Sequence, residues 1–270
     1  MLSRKDKLLK YVSKSCPGIE IGPSYNPMAP KSEGYNVKII DHLNKTGLIN
    51  KYSPSGIDVS KIEDVDFIWN NQSYAELTGK KNYFEWIIAS HLIEHTPDLI
   101  GFLNDCTEVL SEKGIISLAI PDKRYCFDHY RPITGISKII DNHLAKSKVH
   151  TPGTVAEYFL NVVSMSNQIT WTKESKGAMS FIHNKEDAIS GMKTVIKDSA
   201  YLDVHAWCFV PHSFRLLIHD LNLLGLIKLR EVDFFQTEGC EFFMTLGKHG
   251  KGMNLNRNEV QEVIKREISE

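Results

Sequence analysis

The sequence predicts an α/β fold: an open, mainly parallel sheet of seven strands with helices on both faces and a helical insertion before the last two strands. Three observations predict it. Over the first 121 residues, short apolar runs alternate with helical or loop segments, the pattern of a doubly wound sheet. One run, Trp86-Ile87-Ile88, is continuous instead of alternating, as in a central strand buried on both faces. Acidic residues, Glu20 and Asp41, end the first two strands, at the edge where an open parallel sheet binds its ligands.

The elements follow in order. Ser3 caps a short amphipathic helix over 3–14 that turns Leu8, Leu9 and Val12 inward. "GIEIG" (18–22), "NVKIIDHL" (36–43), "DVDFIW" (64–69) and "FEWIIASH" (84–91) are the first four strands. Thr96 as N-cap and Pro97 at the first helical position predict a helix with Leu99, Leu103, Cys106 and Leu110 on one stripe, ended by Gly114. "GIISLAIP" (114–121) is the fifth strand. The alternation then breaks, and about 126–205 forms a helical insertion containing "TVAEYFLNVVS" and "NKEDAISGMKTVIKD". A helix over 211–225 and the strands "LIKLREVDFF" and "CEFFMTL" complete one domain over 1–250; a polar, loosely attached helix or tail, 251–270, follows.

The 270 residues are 42% hydrophobic and carry a formal charge of -1, enough chain for a full core and too balanced for a general nucleic-acid binder. Five cysteines, Cys16, Cys106, Cys126, Cys208 and Cys240, include no C-x-x-C pair and predict reduced thiols in a cytoplasmic protein. No apolar run of signal-peptide or membrane-span length is expected.

The first turn, "EIGPSYNP", narrows the ligand. A dinucleotide cradle needs G-x-G-x-x-G and bare N–H groups for a pyrophosphate. Here only Gly22 is present, and Pro23 and Pro27 have no N–H to offer. Asp41, 21 positions after Glu20, is placed to accept from ribose hydroxyls. A phosphate-free nucleoside cofactor with an amino-acid tail, S-adenosylmethionine, suits these features. An ordinary turn with strand-edge carboxylates suits them too.

The stretches "IEIGPSYNP", "VKIIDH" and "WIIASHLIEHTPDLIGFLNDCTEVLSEKGIISLAIPDKRYCFDHYRP" resemble the class I S-adenosylmethionine-dependent methyltransferases. More narrowly, they are similar to bacterial methyltransferases encoded with surface-glycan biosynthesis. The resemblance spans about 16–132 and, more faintly, 205–247. It implies a Rossmann-like fold whose final strand is antiparallel. It implies Glu20, Gly22 and Pro23 at the methionine end, Asp41 on the ribose, His42 near the adenosine and Asn70 or Asn71 at the adenine edge. Ser90 and His91 would face the sulfonium. Ser24 stands where the family has its second glycine.

Methyl transfer to a hydroxyl needs alignment and a base for the proton. "HLIEH" offers three readings. His91 or His95 is the base and Glu94 orients it. Or His91, Glu94 and His95 hold a divalent metal, with His129 as a further ligand; this set resembles the E-x-x-E-H metal motif of some O-methyltransferases and suits a transition metal better than magnesium. Or Glu94 and His95 merely bond loop backbone. No metal is the favoured expectation. In "PDKRYCFDHYRP", Arg124, Tyr125, His129 and Arg131 are candidate acceptor contacts, against a surface turn locked by ion pairs such as Asp128 with Arg131. His205, His212 and His219 read as satisfied structural histidines, although "DVHAWCFVPHSF" follows the insertion closely enough to reach the site.

The expected activity is methylation of a sugar, nucleotide sugar or phosphoryl-linked group in capsule or O-antigen biosynthesis. The alternatives are metal-assisted O-methylation of another small molecule or RNA, and a cofactor-binding partner protein without turnover. The expected partner is a small-molecule or glycan-linked acceptor, with no nucleic acid; a homodimer is compatible with the sequence.

Overall fold

A computed structural model describes residues 2–269. The chain runs α1 (Arg4–Leu9), β1 (Gly18–Ile21), β2 (Val37–Asp41), α2 (Lys45–Tyr52), β3 (Phe67–Ile68), α3 (Tyr74–Thr78), β4 (Phe84–Ser90), α4 (Leu99–Val109) and β5 (Leu110–Pro121). Then come α5 (Ile136–Leu144), α6 (Pro152–Asn161), β6 (Val163–Met165), β7 (Met179–Phe181), α7 (Lys185–Asp198), α8 (Pro211–Leu223), β8 (Arg230–Glu238), β9 (Glu241–Gly247) and α9 (Arg257–Ser269).

Seven strands form one sheet in the order β3-β2-β1-β4-β5-β9-β8. The first five are mutually parallel, and β9 runs antiparallel between β5 and β8. The expected fold class, including the antiparallel "CEFFMTL" strand, is what the sheet has. The continuous Trp86-Ile87-Ile88 run is explained by the pleat, which sends successive side chains to opposite faces. Ile87 and Ala89 pack with Leu99, Leu103 and Phe214 on one face; Trp86 and Ile88 pack with Leu8 and Met28 on the other. Trp86 is fully buried, and its indole N–H donates to the Ser13 and Cys16 carbonyls, which ties α1's exit to the sheet. Gly18 lies under that ring; a Cβ there would come within 2.0 Å of it.

Several boundaries differ from expectation, each for a local reason. Ser3 caps α1 through a box with Asp6, but the helix ends at Leu9 and a turn from Val12 N–H to the Leu9 carbonyl replaces its last part. Asp98, not Thr96, caps α4: its carboxylate accepts the Gly101 N–H at 2.8 Å, while the Thr96 hydroxyl donates to the Ile93 carbonyl. The Thr96 backbone N–H donates to the same carbonyl and closes a one-turn 3₁₀ helix over Ile93–His95. Helix α4 stops at Val109, and Leu110 and Gly114 belong to β5. Strand β8 begins at Arg230, because Gly225 turns left-handed and the Leu226 N–H returns to the Leu221 carbonyl. Residues 163–165 and 179–181 form a two-stranded ribbon where only helix and loop were expected.

The C-terminal helix is not loosely attached. Val260 and Ile264 of α9 pack against Val210 and Leu216, and Glu267 receives the His212 N–H and faces His212 Nδ1 at 2.6 Å. Among the described residues, no helix is long and apolar enough to cross a membrane.

Candidate active site

The carboxyl ends of β1, β2, β4 and β5 meet the start of β9 at one edge of the sheet. Gly22 turns the chain there at φ +63°, and a Cβ would stand 2.5 Å from a Leu92 methyl, so both conformation and space call for glycine. Ser24 adopts φ +51°, a left-handed conformation that glycine takes most readily, and its N–H donates to Asp41 Oδ2 at 3.2 Å. The buried Asp41 also accepts the His42 N–H at 2.8 Å and faces His42 Nδ1 at 2.6 Å, both on Oδ1. A carboxylate has about four acceptor sites, so Oδ2 retains one for a ligand hydroxyl. Asn70 and Asn71 follow β3, exposed beside this corner, where the Trp69 N–H bonds the Asp41 carbonyl.

Glu20 sits differently from expectation. Its carboxylate is buried and accepts the N–H groups of Met28 (2.6 Å) and Ala29 (3.1 Å), closing the loop around Pro23 instead of facing the edge. Burial pushes its carboxyl up to about 7 despite those two donors.

At the end of β4 the Ser90 hydroxyl accepts from Arg4, whose Nε and Nη2 also fork onto Glu241 at 2.6 and 3.1 Å. Glu241 Oε2 lies 2.7 Å from His91 Nε2. His91 is thus oriented by Glu241; Glu94 Oε1 is 3.6 Å from its other nitrogen, Nδ1. Burial alone would lower the His91 pKa, but the Glu241 hydrogen bond and the Glu94 charge outweigh it and raise it. Sequence reasoning missed Arg4 and Glu241. Glu241 had a signal, an acid opening an otherwise apolar strand; Arg4, on a polar helix, had none.

Glu94 is buried in the 3₁₀ turn, and both of its carboxylate oxygens lack a hydrogen-bond partner among the described residues. His95 Nε2 and His205 Nε2 each lie 4.0 Å from Glu94 Oε1. His205 arrives because the Ala206 N–H bonds the Glu94 carbonyl at 2.6 Å, stitching the segment after α7 to the turn. His205 thus stands beside Glu94, whereas His212 is held by Glu267 of α9. Burial would lower His95, yet Asp203 and Glu94 raise it.

In the loop after β5, Tyr125 and Arg131 are buried, against their expected contact with an acceptor, while Arg124 and His129 are half-buried. Arg124 forks onto the fully buried Asp122 at 3.0 and 2.6 Å and reaches the Glu267 carbonyl. Arg131 is 1% exposed, held by Asp128 at 2.8 Å and Glu157 at 3.0 Å. Tyr125 packs with Val163 and Trp171. His129 Nδ1 lies 2.8 Å from the Arg124 carbonyl, and the ligand atoms that gather at Glu94 are those of His95 and His205. Arg124 is engaged by Asp122 and the α9 carbonyl of Glu267, and Arg131 by Asp128 and by Glu157 of the insertion. A groove of about 770 Å³ between Lys81, Asn104, Glu112 and Lys248 lies at the amino ends of β4 and β5, the opposite edge.

No family model and no curated protein matches the chain. Among solved structures it is similar to the CcbJ methyltransferase of Streptomyces caelestis, at 9% identity over 91% of this chain and 96% of that one, TM-score 0.47. An S-adenosylmethionine-dependent methyltransferase of Methanosarcina mazei gives 10% identity over 90% and 96%, TM-score 0.45. A chain from Rhodobacter sphaeroides described as a zinc-dependent alcohol dehydrogenase gives 10% identity over 90% and 87%, TM-score 0.45. Likeness at this level decides neither chemistry nor acceptor.

Proposed function

We propose that this chain is an S-adenosylmethionine-dependent methyltransferase acting on a hydroxyl oxygen of a small acceptor. The observation that carries it is the single sheet edge at which the Gly22 turn, the Asp41 carboxylate and the carboxylate-held His91 come together. Gly22 and Ser24 give a turn without a phosphate cradle, and the free site on Asp41 Oδ2 suits a ribose hydroxyl. Bound S-adenosylmethionine supplies an electrophilic methyl carbon. With the Gly22 turn and Asp41 holding the cofactor, His91 Nδ1 would take the proton of the acceptor hydroxyl as its oxygen receives that methyl and the sulfur leaves as the thioether of S-adenosylhomocysteine. Glu241, hydrogen-bonded to Nε2, orients the ring for that step, as a third group commonly orients a base.

The acceptor we favour is a sugar, nucleotide sugar or phosphoryl-linked group of a surface glycan. Its one support is the narrower sequence likeness to surface-glycan methyltransferases; the shared motifs of residues 16–132 name no acceptor, and Arg124 and Arg131, engaged within the chain, add nothing to it.

Calorimetric titration with S-adenosylmethionine and S-adenosylhomocysteine tests the cofactor. Wild type should bind both, and Asp41→Ala should bind ~10-fold or more weakly, since hydrogen bonds to a charged group contribute about 1.5–3 kcal/mol. Absence of binding to either ligand in the wild type rejects the proposal.

The base makes a prediction about pH. A His raised above its ordinary value is protonated, and inactive as a base, until the pH exceeds the raised value. kcat/KM should therefore climb through a limb lying above pH ~6.5. Glu241→Gln removes the charge that raises His91 while keeping the side chain's size. The limb should move to lower pH, and an unmoved limb assigns it to another group.

A further inference from the structure

The Glu94 turn gathers a group of side chains that general-base chemistry at His91 does not use. Glu94 is 1% exposed, and neither carboxylate oxygen has a hydrogen-bond partner among the described residues. A buried charge with no partner costs several kcal/mol, so such a group is ordinarily paired or bound to a cation. Three imidazole nitrogens face Oε1: His91 Nδ1 at 3.6 Å, on a ring already held by Glu241, and His95 Nε2 and His205 Nε2, each at 4.0 Å. That separation is too long for a hydrogen bond and is the spacing of two ligands that share one ion.

The far nitrogen of each ring carries the second sign. His205 Nδ1 lies 2.5 Å from Asp128 Oδ2, and Asp128 is itself fixed by Arg131. His95 Nδ1 lies 2.9 Å from Asp203 Oδ1, close enough for an ion pair though poorly aligned for a hydrogen bond. Asp128 orients the His205 ring through Nδ1 and Asp203 lies beside His95 Nδ1, so on each ring Nε2 is the nitrogen facing Glu94. This carboxylate–histidine pattern surrounds metals commonly.

We propose that Glu94, His95 and His205 bind one divalent first-row transition metal, with Asp128 and Asp203 behind the histidines. The ligand atoms of the three residues lie within 4.8 Å of one another. Two neutral imidazoles and one carboxylate select zinc, iron(II) or cobalt(II) over magnesium and calcium, which take oxygen ligands. Three protein ligands leave coordination positions open for water or an acceptor oxygen. His91 is outside the set; it keeps its bond to Glu241.

The proposed set differs from the trio His91, Glu94 and His95 read from the sequence in taking His205 in place of His91. It also stands apart from the methyl-transfer reading, because metal binding can be measured with neither cofactor nor acceptor.

The test is titration of chelator-treated full-length protein with Co2+, followed by visible absorption, and with Zn2+, followed by calorimetry. One equivalent should bind with the d–d bands of a nitrogen- and oxygen-ligated cobalt. His95→Gln and His205→Gln should each weaken binding ~10-fold or more, with His95, partly exposed, the substitution better tolerated by the fold. Thermal melts without metal identify any variant that has lost structure, and the comparison is made on the one that keeps its melting temperature. No stoichiometric binding by the wild type, or equal affinity in a folded His95→Gln variant, overturns the proposal and leaves the cluster an ion-paired turn.

Discussion

Replacing His91 with asparagine should lower methyl-transfer turnover by about 10²–10⁴-fold and leave cofactor affinity unchanged. The size follows from what is lost: the group that receives the acceptor's proton. Retained affinity follows from place, since His91 bonds Glu241 and faces Glu94, whereas the proposed cofactor contacts lie at Gly22 and Asp41. Asparagine is the right replacement because His91 sits at φ +50°, and asparagine adopts the left-handed region more readily than alanine does. Single-turnover kinetics beside calorimetry separate the two effects. Full turnover in His91→Asn would remove His91 as the base. Weakened cofactor binding with unchanged turnover would make it a binding residue.

Arg131→Ala should be the most destabilising of these changes, by roughly 3–5 kcal/mol. Arg131 is nearly inaccessible and bridges Asp128 to Glu157. Burial alone would raise the Asp128 carboxyl, but His205 and Arg131 hold it well below the usual carboxylate range. Truncating the arginine leaves that charge short of a partner, and the loss of a partner costs more than the intact pair contributes. The melting temperature should fall on the order of 10 °C in a chain of this size. Because Asp128 also holds His205, the variant should lose some metal affinity with its stability. An unchanged melting temperature together with a raised KM for the acceptor would restore Arg131 as an acceptor contact.

Arg131 also marks a limit of reading a loop from its composition. "PDKRYCFDHYRP" has the residues of a phosphate-binding loop, and arginine forks do suit phosphates. They suit aspartates equally well. Which partner is taken depends on where Asp122, Asp128 and Glu157 lie, and Glu157 is 26 positions from Arg131. Likewise, "HLIEH" made Glu94 the natural partner of His91 by proximity in the chain, but the oxygen at 2.7 Å belongs to Glu241, 150 positions away.

The sequence alone determined the seven-stranded, mainly parallel sheet, because apolar period, capping residues and turn glycines act within a few residues and are written next to one another. The whole-face burial of β4, the cap at Ser3 and the turn at Gly22 were legible for that reason. It also determined that the first turn could not cradle a pyrophosphate, since proline lacks the N–H wherever it is placed. Only the tertiary structure decided which charges meet. Arg4 and Glu241 around His91, and His205 beside Glu94, come from α1, β9 and the segment after the insertion, and their convergence is set by the sheet order and the packing of the insertion. Electrostatic pairing acts over a few ångströms in space, and distance along a chain does not record it.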